Sequence, residues 1–335
     1  IKKQTDMLGQ APVPSYLDVP GNTITKNVFS MENKGLELLL GVNKKIGQVN
    51  FSATANFSTL DNKITKLLGS ATDYISLPLG SLQGDDGGSQ TRSAVGERIG
   101  NFWGYVADGI IQDAAEAASS GMSGVKPGDR RFKDLNGDKK IDANDKTIIG
   151  NGLPKYIFGL NLSATYKDFD FSVFFQGQAG VQIANMFNAY AMHIAGDNGF
   201  INGPAKWLNR WTGKGTSNDM PRNSYDAPSS NRYFSSAYIE NGSFVRIRNM
   251  QLGYTLPVKL VSKMRINSLR LYVSAQNLHT FTKYTGWDPE VGTRYQSGPG
   301  DAKQPSDEVN ALTTGVDYGR YPLPRTILFG LNVRF

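Results

Sequence analysis

Side chains of a β-strand alternate between two faces, and in the closing stretch 325–335 they sort almost completely. Ile327, Phe329, Leu331, Val333 and Phe335 fall on one face, and Thr326, Gly330, Asn332 and Arg334 on the other. Only Leu328 breaks the pattern. A strand this apolar, closing on an aromatic, is expected to be tied down rather than frayed. Its apolar face then meets either a second sheet, in a soluble sandwich, or lipid, in a membrane barrel whose polar face lines the lumen.

The same alternation recurs upstream. Leu36, Leu38, Leu40 and Val42 alternate with Glu37, Leu39, Gly41 and Asn43. After a link at 44–46 the chain returns through Val49, Phe51, Ala53, Ala55 and Phe57, whose opposite face is Asn50, Ser52, Thr54, Asn56 and Ser58. Five small polar residues in a row suit a wet lumen better than a sandwich exterior. In a second hairpin, Tyr156, Phe158, Leu160, Leu162, Ala164 and Tyr166 alternate with Ile157, Gly159, Asn161, Ser163 and Thr165. The link Lys167-Asp168 leads into Phe169, Phe171, Val173 and Phe175. That face begins and ends on aromatics, as where strands cross both membrane interfaces. Further strands are expected at 98–112, 244–255 and 269–281, giving roughly eight to ten in all. A short helix is expected within 257–267, and one or two helical turns at 204–211. Within 98–112, Phe102, Trp103, Tyr105 and Val106 crowd around Gly100 and Gly104 and read as core or interfacial-girdle packing. Pro12, Pro14 and Pro20 make 7–33 read as irregular. Long polar loops at 70–91, 178–236 and 282–318 alternate with short links, as in outer-membrane barrels.

Composition narrows the chemistry. The 335 residues include no cysteine, which excludes disulfides, thiolate metal sites and a Cys nucleophile. His193 and His279 are far apart and stand in no metal-ligand spacing. Aromatics at 11% and 37 glycines mark a β-rich chain with many turns. No apolar run is long enough for a transmembrane helix, but a barrel strand needs only about 9–11 alternating residues. The net charge of +7 is scattered over Lys2, Lys3, Lys44, Lys45, Arg130, Arg131, Lys139 and Lys140 among interspersed acids, which is no nucleic-acid surface. Asp85 and Asp86, adjacent in a glycine run, point apart and make no glycosidase pair. Gly84 to Gly88 precede no Lys-Ser or Lys-Thr, and no Gly-x-Ser-x-Gly elbow occurs. No catalytic centre is expected.

The sharpest local motif is 134–145. Asp134, Asn136, Asp138, Asp142 and Asp145, with the Lys140 carbonyl, occupy the ligand positions of an EF-hand-type calcium loop, and Ile141 is its apolar residue. Lys139 replaces the usual glycine at position six, and Asp145 the longer glutamate at position twelve. Two readings stay open: a structural Ca²⁺ site, or a metal-free loop whose Asp and Asn side chains cap their own backbone.

Three stretches resemble the SusC/RagA family of TonB-dependent outer-membrane transporters of Bacteroidetes. They are Asn33-Lys34-Gly35-Leu36-Glu37-Leu38; Gly128-Asp129-Arg130-Arg131-Phe132-Lys133-Asp134-Leu135-Asn136-Gly137-Asp138, continuing to Ile149-Gly150-Asn151 and Phe158-Gly159-Leu160-Asn161; and Tyr321-Pro322-Leu323-Pro324-Arg325-Thr326 leading into the closing strand. Leu252-Gly253-Tyr254-Thr255-Leu256-Pro257 and Val273-Ser274-Ala275-Gln276-Asn277-Leu278 add lesser matches. The resemblance implies an all-β fold, the C-terminal part of an antiparallel transmembrane β-barrel of about 22 strands in the bacterial outer membrane. It implies TonB-dependent import of a glycan or oligopeptide under a SusD-like lipoprotein lid. The N-terminal plug and the remaining strands are expected upstream of Ile1, because half a barrel cannot sit in lipid unpaired. A siderophore or vitamin receptor fits the 128–138 motif and the 134–145 loop less well. The loop aromatics Trp207, Trp211, Tyr233, Phe234, Tyr284 and Trp287 either stack on cargo or pin the loops to one another or to the lid; Trp207, Trp211, Tyr284 and Trp287 are the cargo candidates. The alternative from another class is a secreted, soluble β-sandwich that binds carbohydrate.

Overall fold

The computed structural model describes residues 2–12, 23–67, 74–75, 90–191, 205–223, 229–262, 265–292 and 311–335. Seven long strands form its main sheet: β1 (Glu37–Ile46), β2 (Val49–Thr59), β3 (Tyr156–Tyr166), β4 (Phe169–Ala179), β5 (Phe244–Thr255), β6 (Ser268–Thr282) and β7 (Thr326–Arg334). Each pairs antiparallel with the next in chain order, so the sheet is a simple meander. It forms an open arc: β1 and β7 each pair on one side only among the described residues.

Register carries the alternation of each strand across the whole sheet. Val42, Ala53, Leu162, Val173, Met250, Ala275 and Ile327 stand side by side in one row. The next row is Asn43, Ser52, Ser163, Ser172, Gln251, Ser274 and Leu328, so the one misfit of the closing strand is also the one apolar member of a polar row. The apolar rows make a belt on one face, and among the described residues no second sheet lies over it: Leu40 is 59% exposed, Leu331 62% and Phe329 84%. Burying such a side chain is worth about 1.5–3 kcal/mol. A belt of them facing water would consume the roughly 5–15 kcal/mol that holds a domain together. Lipid is therefore the solvent of this face, and the sandwich alternative fails. The belt is bounded by aromatics at both rims, with Phe57 stacked on Tyr156 at 5.9 Å and Phe169 against Tyr254 at 4.6 Å.

The two ends of the sheet differ. At one, the connections are the turn at Gly47-Gln48, the turn at Lys167-Asp168 and the segment 256–267, which contains the expected short helix, Val258–Val261. Gly47 (φ 61°) and Lys167 (φ 52°) supply the left-handed residues of the two tight turns. The link expected at 44–46 belongs to β1, whose turn lies one residue beyond it. At the other end, long connections fold into a cap. Thr91–Ala94, Asn101–Gly104 and Thr147–Asn151 share a small sheet with Tyr74–Ile75. Gln182–Asn185 pairs with Ile239–Asn241 and, in parallel, with Val316–Asp317. Phe102, Ala184, Met186, Ala189, Phe234, Tyr238 and Val316, drawn from three connections, form the cap's core.

Two expectations are corrected. Residues 7–12 and 23–33 are not irregular: Lys2–Pro12 pairs with Thr23–Lys34, which pairs with Asp61–Lys66, while 13–22 lie outside the described residues. Proline forbids helix but is tolerated at a strand end, where Pro12 stands; Pro14 and Pro20 lie outside the described residues. Nor is 98–112 one strand. It is broken at Tyr105-Val106 into Asn101–Gly104, which pairs with Thr147–Asn151, and Ala107–Ile110, which pairs with Arg130–Phe132, and Phe102 and Tyr105 are buried in the cap, the core packing of the two expected readings. The run 84–88, with Asp85 and Asp86, and His193 lie outside the described residues.

On the polar face, Arg270 of β6 reaches over Gly253 of β5 to Asp170 of β4, Nε donating to Oδ1 at 2.8 Å. A Cβ at position 253 would run into both side chains. In the full-length protein, Gly253→Val is expected to lower thermal stability in detergent by about 1–3 kcal/mol. Arg270→Gln should cost a similar amount, and the double variant less than the sum. Additive losses would separate the glycine from the ion pair.

Candidate functional site

The loop 134–145 closes on its own backbone. Asp134 Oδ1 accepts the Gly137 N–H at 2.6 Å and Oδ2 the Lys139 N–H at 2.8 Å. Asn136 Oδ1 accepts from Asp138 N, Asp138 Oδ1 from Lys140 N, and Asp142 Oδ1 from Asn144 N, at 2.8–2.9 Å. Asp145 is fully buried and accepts from Leu135 N and Asp142 N at 2.7 and 2.9 Å. Lys139 takes the left-handed conformation (φ 65°) that glycine usually supplies at the sixth position, so that departure leaves the backbone shape intact. Among the described residues no three acidic, His or Cys side chains converge. Each carboxylate oxygen keeps a second lone pair, however, and the donor set of hard oxygens with one carbonyl suits Ca²⁺.

The motif around Asp129 is a clamp whose partners were not apparent in the sequence. The Asp129 carboxylate, fully buried, accepts from Arg222 Nε at 2.8 Å and Asn231 Nδ2 at 2.9 Å. Asn231 Oδ1 in turn accepts the Arg130 N–H at 2.7 Å. Arg130 Nη2 donates to the Asp219 carbonyl, and Arg131 pairs with Asp108 and Glu116. Losing one partner of such a buried pair costs about 3–5 kcal/mol, so these residues join cap segments that are distant in the chain.

The loop aromatics do not gather at one place. Trp207 lies in the short helix Ala205–Asn209. Trp211 Nε1 donates to Gln112 Oε1 at 3.2 Å. Tyr233 stacks against both Tyr105 and Phe132, which also touch one another, and Phe234 is in the cap core. Tyr284 is 6% exposed, and its hydroxyl donates to Asp317 Oδ2 at 2.5 Å; burial first, then that carboxylate, pushes the phenol up. Trp287 is different: it is 59% exposed, rests on Phe187 at 5.5 Å and lines a cleft of ≈ 260 Å³ with Arg246, Thr280, Asp288 and Arg325. Arg246, also unremarked in the sequence, stands on the polar face beside Gln176 and Thr280 and is 2% exposed. Its guanidinium donates to Asp288 Oδ1 at 2.6 Å, Glu290 Oε2 at 3.0 Å and Thr280 Oγ1 at 2.8 Å. Burial pushes the Asp288 carboxyl up, but the Glu290 N–H, Arg246 and the Leu323 N–H outweigh it and hold it below the usual range.

A lipid-facing belt, a polar inner face and long connections folded into a cap at one end define an outer-membrane β-barrel wall. No protein-family model matches the chain. The TonB-dependent receptor P3 of Formosa agariphila is 35% identical over 99% of the chain and 31% of its own length. The TonB-dependent receptor SusC of Bacteroides thetaiotaomicron is 25% identical over 100% of the chain and 29% of its own length. The solved structure of the RagAB peptide transporter superposes with a TM-score of 0.73 at 24% identity, over 99% of this chain and 32% of that one, a match of fold. Over its full length the chain is similar to TonB-dependent receptors of the outer membrane, SusC among them, and it spans about a third of the length of the curated relatives it matches.

The Lys139 N–H foremost, with those of Gly137, Asp138 and Asn136, holds the Asp134 carboxyl below its ordinary range against desolvation. A depressed carboxyl stabilises above its unfolded pKa and loses that contribution as pH falls through the folded value. The Lys139 amide is therefore expected to stay protected from hydrogen exchange, corrected for intrinsic rate, from pH 7 to 5, and to open only below about pH 4. In Asp134→Asn that transition should be absent.

Proposed function

We propose that the chain is the C-terminal portion of the barrel of a TonB-dependent importer that takes up a glycan or oligopeptide across the outer membrane. The observation that carries this is the open arc. Its two faces suit lipid and a wet lumen, yet the free edges of β1 and β7 would leave unpaired backbone groups in hydrocarbon, at several kcal/mol each. The rest of the protein supplies the missing strands and an N-terminal plug. A SusD-like lipoprotein covers the cap, and the inner-membrane TonB complex drives the plug. Support comes from the length of the relatives and from their names as TonB-dependent receptors. Uptake by cells expressing the full-length protein should disappear when TonB is deleted; undiminished uptake would overturn the reading.

Within that importer, Trp287 offers the exposed aromatic face for a sugar ring or a peptide side chain, beside the Arg325 cation. Trp207 and Trp211 are secondary contacts, whereas Tyr284, buried against Ile183 and Val291, offers no face to cargo. Stacking of this kind is worth about 0.5–1.5 kcal/mol. Trp287→Ala should therefore weaken cargo binding about three- to tenfold in calorimetry, with Tm unchanged. Unaltered affinity would remove Trp287 from the cargo path.

The loop 134–145 is the proposed seat of one structural Ca²⁺, held by Asp134, Asn136, Asp138, Asp142 and the Lys140 carbonyl, with Asp145 clamping the loop from below. The left-handed Lys139 and the hard-oxygen donor set support it. Calcium added to chelator-treated protein should raise its Tm, and Asp138→Ala should abolish the rise. An unchanged Tm in the unsubstituted protein would leave the loop to its own hydrogen bonds.

A further inference from the structure

The charge scattered along the sequence is gathered by the fold. At the short-turn end, Asp170 and Arg270 neutralise one another, which leaves Lys44, Lys45, Lys167, Lys259, Arg265 and Arg334 against the single acid Asp168. All six cations are exposed, and none makes an ion pair among the described residues. The cap carries much of its charge in pairs instead: Arg131 with Asp108 and Glu116, Lys214 with Asp113, Arg222 with Asp129, Arg246 with Asp288. We propose that the short-turn rim of the sheet is a docking surface for the headgroups of anionic phospholipids.

Position and charge both support this occupant. Lys44 belongs to the lipid-facing row Lys44, Phe51, Ala164, Phe171, Leu252, Val273 and Phe329, one row above the aromatic rim formed by Tyr166, Phe169 and Tyr254. A lysine there lays its stem along the belt and carries its amine out to the headgroups. Lys167 Nζ lies 5.2 Å from the Tyr166 ring centroid, so a cation sits on the girdle itself. Lys259 stands between Val258 and Leu260, which are 65% and 61% exposed and continue the apolar surface past the strands. Lys44, Lys167 and Lys259 thus recur along the rim of a surface already assigned to lipid, with Lys45 and Arg334 adding charge from the polar face, rather than lining a groove with stacking platforms as a nucleic acid would need. The proposal rests on the barrel fold and is independent of what the importer carries.

The test uses the full-length receptor in mixed micelles of equal phosphatidylglycerol and phosphatidylcholine, with the lipids that co-elute in gel filtration counted by mass spectrometry. The unsubstituted protein should retain phosphatidylglycerol in at least about fivefold excess at low salt. The excess should shrink toward parity near 1 M salt, where screening falls to about 3 Å. The triple variant Lys44→Gln, Lys167→Gln, Lys259→Gln should retain the two lipids equally, and the matching triple Lys→Arg variant should keep the excess. Equal retention by the unsubstituted protein at low salt, or an undiminished excess in the Gln variant, overturns the proposal. Should the Gln variant fail to fold, the salt series on the unsubstituted protein decides.

Discussion

The register of the antiparallel ladder is the constraint on which everything else depends. Because side chains alternate with period two, a slip of one residue in any strand would exchange its two faces. Ser52, Ser163, Ser172 and Ser274 would then turn toward hydrocarbon, where an unpartnered hydroxyl costs roughly 2–7 kcal/mol. Each of the strands is held in phase by two neighbours, except β1 and β7, and the penalty for slipping is shared across the row. This makes the sheet a single cooperative wall rather than a set of hairpins.

Where the phase does shift, the shift is used. The ladder is irregular between Phe174 and Phe175 on β4 and between Ile247 and Asn249 on β5. Arg248 is the extra residue against β4, Asn277 and Leu278 stand opposite it on β6, and Arg248 Nη1 donates to Asn277 Oδ1 at 3.2 Å. Asn277 has φ 51°, a left-handed conformation that asparagine tolerates better than most residues. Its side-chain amide also donates to the Pro324 carbonyl, and Arg248 pairs with Glu290. A bulge of this kind re-aims side chains and ends pairing; here the pairing of β6 with β7 stops at Gln276 and Thr326. The bulge thus divides the plain lipid-facing wall from the zone where the cap is attached.

What the sequence disclosed follows the same division. The long hairpins, the closing strand and the helix after Pro257 were legible because alternation and turn chemistry are local, and they extend over enough residues to be recognised. The cap was not. Asp129 and Arg246 carry no periodic signal, and their partners Arg222, Asn231, Asp288 and Glu290 lie tens of residues away, so only the fold could show that they are buried clamps. Residues 98–112 misled because the two pieces of one apolar run pair with different strands, Thr147–Asn151 and Arg130–Phe132, which no local pattern discloses. The 134–145 loop is intermediate: its spacing of Asp and Asn residues was visible, but the left-handed Lys139 and the burial of Asp145 were not.

The clamp at Arg246 also decides how the cleft beneath Trp287 can move. The guanidinium belongs to β5, a strand of the wall, whereas Asp288 and Glu290 belong to the connection that carries Trp287. Lifting that connection would strip a buried cation of two carboxylates at once, at a cost of about 3–5 kcal/mol. Tyr284 adds a second fastening through Asp317, whose Oδ1 also accepts the N–H groups of Gly319 and Arg320. A segment held this way is no free lid, and an aromatic face on it keeps a fixed position relative to the lumen. Any rearrangement around this wall must then occur in parts not tied to it, leaving the Trp287 face as a stationary element.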